Sequence, residues 1–298
     1  MARGGVRRAA AALAACASIG AGAAQPGPYV QVDNDFFFDT DRWYTSGVRV
    51  ADVVPRAGYL LELGVLQEIY TPEAKRQDAI DRPNEARLLA TVARHARAPG
   101  DWRTLELDVG VAGPSALGGQ AQEIVHHVFA APHEDWSHER SDRLDAQAVW
   151  SHTHTFGVPR DDAPYLNGHY GVVLGSQAGF AHAGIELRFG HGGASRTLET
   201  PALRFAATPP LADGDAASWT TYLGASVRAV AWNHLLDFAP GLAMETPQMR
   251  HVVQRYLAGV AWTGRGAQVT FTLIQETREF VGQRRDADFG SVTLHLTF

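Results

Sequence analysis

At the C-terminus Val292, Leu294, Leu296 and Phe298 alternate with Ser291, Thr293, His295 and Thr297, so the chain ends in a strand with one apolar and one polar face. The same two-residue period sets Val269, Phe271 and Leu273 against Gln268, Thr270 and Thr272, and Leu105, Leu107, Val109 and Val111 against Glu106, Asp108 and Gly110. About twelve such segments follow one another, the repeated amphipathic pattern of an outer-membrane barrel. They begin near Tyr29, Trp43, Tyr59, Ala86, Trp102, Leu144, Tyr165, Ala178, Ser218, Arg250, Ala267 and Ala287. A soluble barrel or sandwich also alternates, but its apolar side faces a core that must be filled. Here the polar set forms a plausible lumen and the apolar set a lipid-facing wall. The pattern predicts an all-β fold, a closed antiparallel transmembrane β-barrel of about twelve strands whose even count lets both chain ends meet on the periplasmic side.

Two stretches interrupt the alternation. From Ala116 to Ala130, Leu117, Ile124, Val128 and Phe129 fall at helical spacing after Gly113-Pro114-Ser115, which predicts a short loop helix near 116–130, between the fifth and sixth strands. Gly190 to Ala216 is rich in Gly, Pro, Ala and Asp and is expected to be a long external loop with little packing. At the N-terminus Arg3, Arg7 and Arg8 precede a small apolar run, Ala9 to Ala24, expected to be a secretory signal peptide cleaved near Ala24. That run is too short for a spanning helix, which needs ~20 apolar residues. Leu13-Ala14-Ala15-Cys16 resembles a lipoprotein box, the alternative processing route. The mature chain, residues 25–298, is expected to be one barrel domain.

Composition narrows the chemistry. The 26 basic and 32 acidic residues give a net charge of -6 with no basic block, which excludes the electrostatic footprint of a nucleic-acid binder. Cys16 is the only cysteine, so disulfides, thiolate nucleophiles and Cys-type zinc sites are excluded from the mature chain. On the first strand, Val30, Val32 and Phe36 form the lipid-facing set and Gln31, Asp33 and Asp35 the inward set, which places Asn34 on the lipid side. A polar group there is costly without a partner. Either Asn34 sits at the rim beneath a covering element such as the loop helix, or the strand ends before it in a polar turn.

Several motifs carry a resemblance. Asp33-Asn34-Asp35-Phe36 with Tyr44-Thr45-Ser46-Gly47, Gln67-Glu68-Ile69-Tyr70-Thr71-Pro72, and Asp81-Arg82-Pro83 resemble the lipid A 3′-O-deacylase family. So do Val111-Ala112-Gly113-Pro114 followed by Gly119, Gln122 and His126, and, at the closing hairpin, Glu279-Phe280, Gly282-Gln283 and Asp288-Phe289-Gly290-Ser291. The order is kept over nearly the whole mature chain. The resemblance implies a twelve-stranded outer-membrane barrel with its active site at the outer-leaflet rim, between the wall and a loop helix. It implies calcium-dependent hydrolysis of the acyl ester at the 3′ position of lipid A. By position, His126 would be the general base, with Asn34, Asp35 and Thr45 lining the site.

These residue types suit that chemistry. Imidazole can take a proton from water near neutral pH. A hard cation such as Ca2+, held by Asp35 and Asn34, could stabilise the oxyanion without a covalent nucleophile. His127 points ~100° away from His126 on a helix, while Gln122, four residues earlier, shares its face and could orient the ring. Lys75, Arg76 and Arg82, with Arg87, are candidates for the substrate phosphates. Ser46 and Ser115 are alternative nucleophiles outside any recognisable motif, and His126, His133, His138, His152 and His154 an alternative metal set. The expected partners are lipid A or lipopolysaccharide and outer-membrane lipid, with the barrel acting as a monomer. Departures cluster near the site: Pro132 replaces the family's glutamate six residues after the base, Glu134 lies close by, Asn84-Glu85-Ala86 replaces Tyr-Ala-Gly, and Asp135 to Arg140 replaces most of Gly-Trp-x-x-Gln-Leu. They keep open two rivals, a non-catalytic barrel (a pore or a lipopolysaccharide-binding protein) and an outer-membrane phospholipase.

Overall fold

The structure is a computed structural model that describes residues 26–38, 42–73, 82–98, 100–129, 134–157, 163–191, 217–237, 246–264 and 266–297. The expected leader, Cys16, Lys75, Arg76, Pro132, His133 and the connection 192–216 lie outside the described residues. The strands are β1 (Pro26–Asn34), β2 (Trp43–Arg56), β3 (Tyr59–Thr71), β4 (Glu85–Ala98), β5 (Asp101–Ala112) and β6 (Arg143–Phe156). They continue as β7 (Tyr165–Gly175), β8 (Ala178–His191), β9 (Ser218–Asn233), β10 (Val252–Gly264), β11 (Ala267–Glu276) and β12 (Ala287–Thr297). Each pairs antiparallel with its sequence neighbours, and β1 pairs with β12 to close the barrel. Closure leaves no edge strand, the only way a sheet can satisfy its backbone in lipid. No helix among the described residues is long and apolar enough to cross a membrane.

The strand starts agree closely with the alternation pattern; the widest gap is Pro26 against the expected Tyr29. At the end carrying both termini, β2–β3 and β4–β5 are joined by tight turns through Gly58 and Gly100, at φ 83° and 75°. Only glycine adopts that left-handed backbone without a Cβ penalty. One expectation is corrected: counting strand directions from β1, β8 ends and β9 begins at this same end, so 192–216 is attached opposite the helix, where a barrel's periplasmic turns lie.

Along each strand alternate side chains face outward, as Leu105, Leu107 and Val109 do, while their neighbours Glu106 and Asp108 are buried in the lumen. The lumen is knit by charge. Arg49 bridges Glu62 at 2.6 Å and Glu106 at 2.9 Å, and Glu62 also accepts from Tyr29 Oη. Arg87 reaches Glu68, Asp145 and Gln147, and Arg255 and Arg228 share Glu276. Nearer the helix-bearing mouth the interior turns apolar: Tyr44, Leu66, Tyr70, Leu89, Ile274 and Phe289 pack around Leu235. Leu235 and Leu236 enter from a 3-10 turn whose start is capped by Asn233 Oδ1 accepting from Leu235 N. An open pore would leave its lumen-facing side chains wet. Here Arg49, Glu62, Glu68, Arg87, Glu106 and Asp108 are all buried.

Candidate active site

β1 ends at Asn34, which pairs with Ser46 on β2 and Gly290 on β12. The chain then leaves the sheet in a 3-10 turn, Asp35–Phe38. Asn34 Oδ1 accepts from Phe36 N at 2.7 Å, so the polar group on the lipid side is satisfied by its own turn rather than by the loop helix. Asp35 is buried and its Oδ2 accepts from Arg42 N at 2.7 Å, tying the two ends of the β1–β2 connection together. Of the expected inward set Gln31 and Asp33 are buried in the strand and Val32 is exposed on the other side; Asp35 is buried too, but in the turn beyond the strand, where alternation no longer sets its direction.

Thr45 reaches the site through a bulge. The β2–β3 register passes from Tyr44 opposite Tyr70 to Ser46 opposite Ile69, leaving Thr45 as the extra residue. Unbroken alternation would put Thr45 in the lumen with Arg49. Instead Tyr44 takes the lumen position, packed on Tyr70 and Phe289, and Thr45 Oγ1 lies 2.5 Å from Thr71 Oγ1. Thr71 is two residues beyond Ile69, on the outward set of β3.

The helix α1 (Gly118–Phe129) follows a 3-10 turn, Pro114–Ala116, entered through Gly113 at φ 103°. It rests on the outer wall. Ala116 packs with Ile69 and Ala86, the outward neighbours of lumenal Glu68, Tyr70 and Arg87, and with Ala121 and Trp136. Gly118 permits that approach, since a Cβ there would overlap Ala86 Cβ and the Trp136 ring. Gln67 Nε2 donates to Ala116 O at 2.7 Å, and Trp136 Nε1 donates to Gln122 Oε1 at 2.9 Å. Gln122 is buried and His126, one turn on, is half-buried, while His127 is exposed, as the 100° offset requires.

The divergent segment after the helix is well tied. Asn84 Nδ2 donates to Asp135 O, Arg140 N donates to Asn84 O, and Arg140 and Arg143 both pair with buried Glu85. Burial, then the negative charges of Asp142 and Glu85, push the Glu139 carboxyl up to about 7. Asp142 is held below the usual carboxylate range because Ser115 N and Oγ both donate to it. That pairing makes Ser115 a loop staple. Glu134 is buried.

Two phosphate candidates are placed out of a headgroup's reach. Arg82 is fully buried, pairs with Glu279 at 3.6 Å and lies over the Tyr70 ring, pinning the β3–β4 loop to the β11–β12 loop. Arg87 belongs to the lumenal network. The histidine metal set does not assemble either. His152 and His154 both bond Asp101 on the outer wall near the far end of the barrel, and among the described residues no three His, Cys, Asp or Glu groups are arranged to hold one ion. The structure adds Thr71, Gly118 and Trp136. Thr71 stood inside the Gln67–Pro72 motif, but only the bulge reveals its contact with Thr45.

The family model described as outer membrane protein LpxR matches residues 8–298. LpxR from Salmonella typhimurium is similar in structure, with a TM-score of 0.80 and 19% identity over 91% of this chain and 100% of that one. The β domain of the Bordetella autotransporter Brka is similar at a TM-score of 0.46 and 12% identity, over 91% and 99%. No curated protein matches. Since the family match runs through nearly the entire sequence, this chain belongs to the LpxR family of outer-membrane proteins, the lipid A deacylases.

Proposed function

We propose that this chain hydrolyses the 3′ acyl ester of lipid A at the outer wall of its barrel, with His126 as general base. The observation that carries the reading is the seating of α1. Its first turns pack on the outward faces of β3 and β4, it carries half-buried His126, and β2 with Thr45 and β1 with Asn34 are the next strands round the wall. A lipid in the outer leaflet reaches that position without entering the filled lumen.

In this mechanism an imidazole nitrogen of His126 takes a proton from a water as its oxygen attacks the ester carbonyl. Thr45, its hydroxyl paired with that of Thr71, lines the site beside the strand end. The protonated imidazole then returns the proton to the departing sugar oxygen, leaving a fatty acid and a free hydroxyl. The donors at the strand end are hard oxygens with one buried carboxylate, which fits calcium with waters completing its shell. Asn34 and Asp35 would hold the ion, which would supply positive charge to offset the negative charge that develops during attack. Arg82 is left out of phosphate binding by its burial, and Gln122 supports the helix through Trp136.

The test expresses the chain in a Gram-negative host and weighs its lipid A. The expected product lacks the 3′ acyl chain, and His126→Ala is expected to lower the rate by roughly 10²–10⁴ while the barrel still folds. Unchanged lipid A from the intact protein in calcium overturns the proposal. Release of fatty acid from glycerophospholipids instead moves the site to the phospholipase reading.

A further inference from the structure

Beneath the polar rim the outer wall forms a walled track. Val32 pairs across strands with Val48, and Val30 with Val50, so the outward faces of β1 and β2 present a ladder of valines. On one side stands the 3-10 turn, packed on β12 and β2, with Phe36, Phe37 and Phe38 at 59%, 45% and 38% exposure. On the other stands α1, packed on β3 and β4, with Ile124 and Val125 exposed. The walls are about two strand spacings apart, roughly 10 Å.

The aromatic wall is built rather than incidental. Phe37 meets Phe271 edge-on at 5.6 Å and sits over Gly290, where a Cβ would overlap its ring. Asn34 Oδ1, accepting from Phe36 N, ties the wall to the strand end. Fixing Phe37 fixes the turn that carries Phe36 and Phe38 at the edge of β1.

We propose that this track seats the acyl chain whose ester the rim cleaves, with Phe36 and Phe38 as specificity-determining residues. The inference rests on the deacylase reading. An ester cleaved beside Asn34 and Thr45 must send its hydrocarbon away from the polar loops, and the valine ladder starts two residues below Asn34. The track opens sideways to the leaflet, so the chain slides in without crossing water. Apolar burial scales with chain length, so losing a wall penalises long acyl chains more than short ones.

The experiment compares the full-length barrel with Phe36→Ala/Phe38→Ala and with Val48→Trp, which obstructs the track, on long-chain lipid A and on a short-chain water-soluble ester. Leu187→Trp, on the lipid face of β8, serves as control. The expected result is a loss of about tenfold or more in kcat/KM on the long chain for both track variants, little change on the short ester, and no change for the control. Equal activity of all variants on the long chain, with an active parent, overturns the track and leaves the deacylase reading standing. If the parent cleaves nothing, that reading has failed, and Phe36→Trp fluorescence in bilayers decides the track by itself. Quenching by acyl-brominated lipid A beyond its mole fraction supports it. Quenching no stronger than by brominated phospholipid overturns it.

Discussion

The lumenal and outer faces of β1 to β6 are made by the same strands, one residue apart, yet they use polar groups for opposite ends. Inside, Arg49, Glu62, Glu106, Arg87, Glu68 and Asp145 are buried and answered by one another, so their chemistry is spent on holding the wall together. Outside, where lipid makes polar groups costly, polar side chains are few among the described residues, and one group of them lies at the rim beside α1 and the Asp35–Phe38 turn. Density of charge therefore misleads as a guide to function in this barrel. The informative groups are the sparse ones on the apolar side.

Breaking the inside should cost stability without touching the chemistry. Arg49→Met leaves Glu62 and Glu106 buried without their cation and is expected to cost about 3–5 kcal/mol, read as an earlier denaturant midpoint in detergent. The fraction that still folds should keep its full rate. An unmoved midpoint would mean that the network carries no stability.

Disturbing the outside should do the reverse. Gly118→Val forces atoms into Ala86 and Trp136 and is expected to cost about 1–3 kcal/mol, confined to the seating of the helix. Hydrogen exchange should rise in α1 and the hydrolysis rate should fall, while the barrel's midpoint stays in place. A milder version is Trp136→Phe, which removes the 2.9 Å bond to Gln122 and should loosen α1 by about 1 kcal/mol. Its rate should lie between those of the parent and Gly118→Val.

The smallest effect concerns pH. Glu139, raised to about 7 in the folded chain, binds more protons there than when unfolded. Its stabilising contribution is therefore complete below the unfolded carboxylate range and is lost as pH rises through about 7. Asp142 has the opposite sign: lowered by Ser115, it stabilises above its ordinary range and loses that contribution as pH falls. Glu139→Gln should flatten the dependence of local exchange in residues 134–142 between pH 5 and 8, a window set by the raised carboxyl. A slope identical to the parent's would remove Glu139 as its source.

Two-residue alternation was enough to place the strands, their even number and the lipid-facing set, because lipid on one side and a polar interior on the other impose a single period over the whole chain. The helix near 116–130 was legible from its change of period, and Asn34 from being polar in an apolar row. His126, Asp35 and Thr45 were named through motif order, which the family match supports for the chain but which assigns no roles.

What the alternation could not contain is whatever breaks it or joins distant segments. The bulge that turns Thr45 from the lumen toward Thr71 is a one-residue slip against β3, visible only once the register is known. Arg82 looks like a loop cation by type, and only closure of the barrel brings Glu279 and Tyr70 around it. The end of the barrel at which 192–216 attaches follows from counting strand directions. Period and composition belong to the local chain and are written in it; register, burial and partnership are properties of pairs far apart in sequence, decided when the sheet closed and one set of contacts outweighed the others.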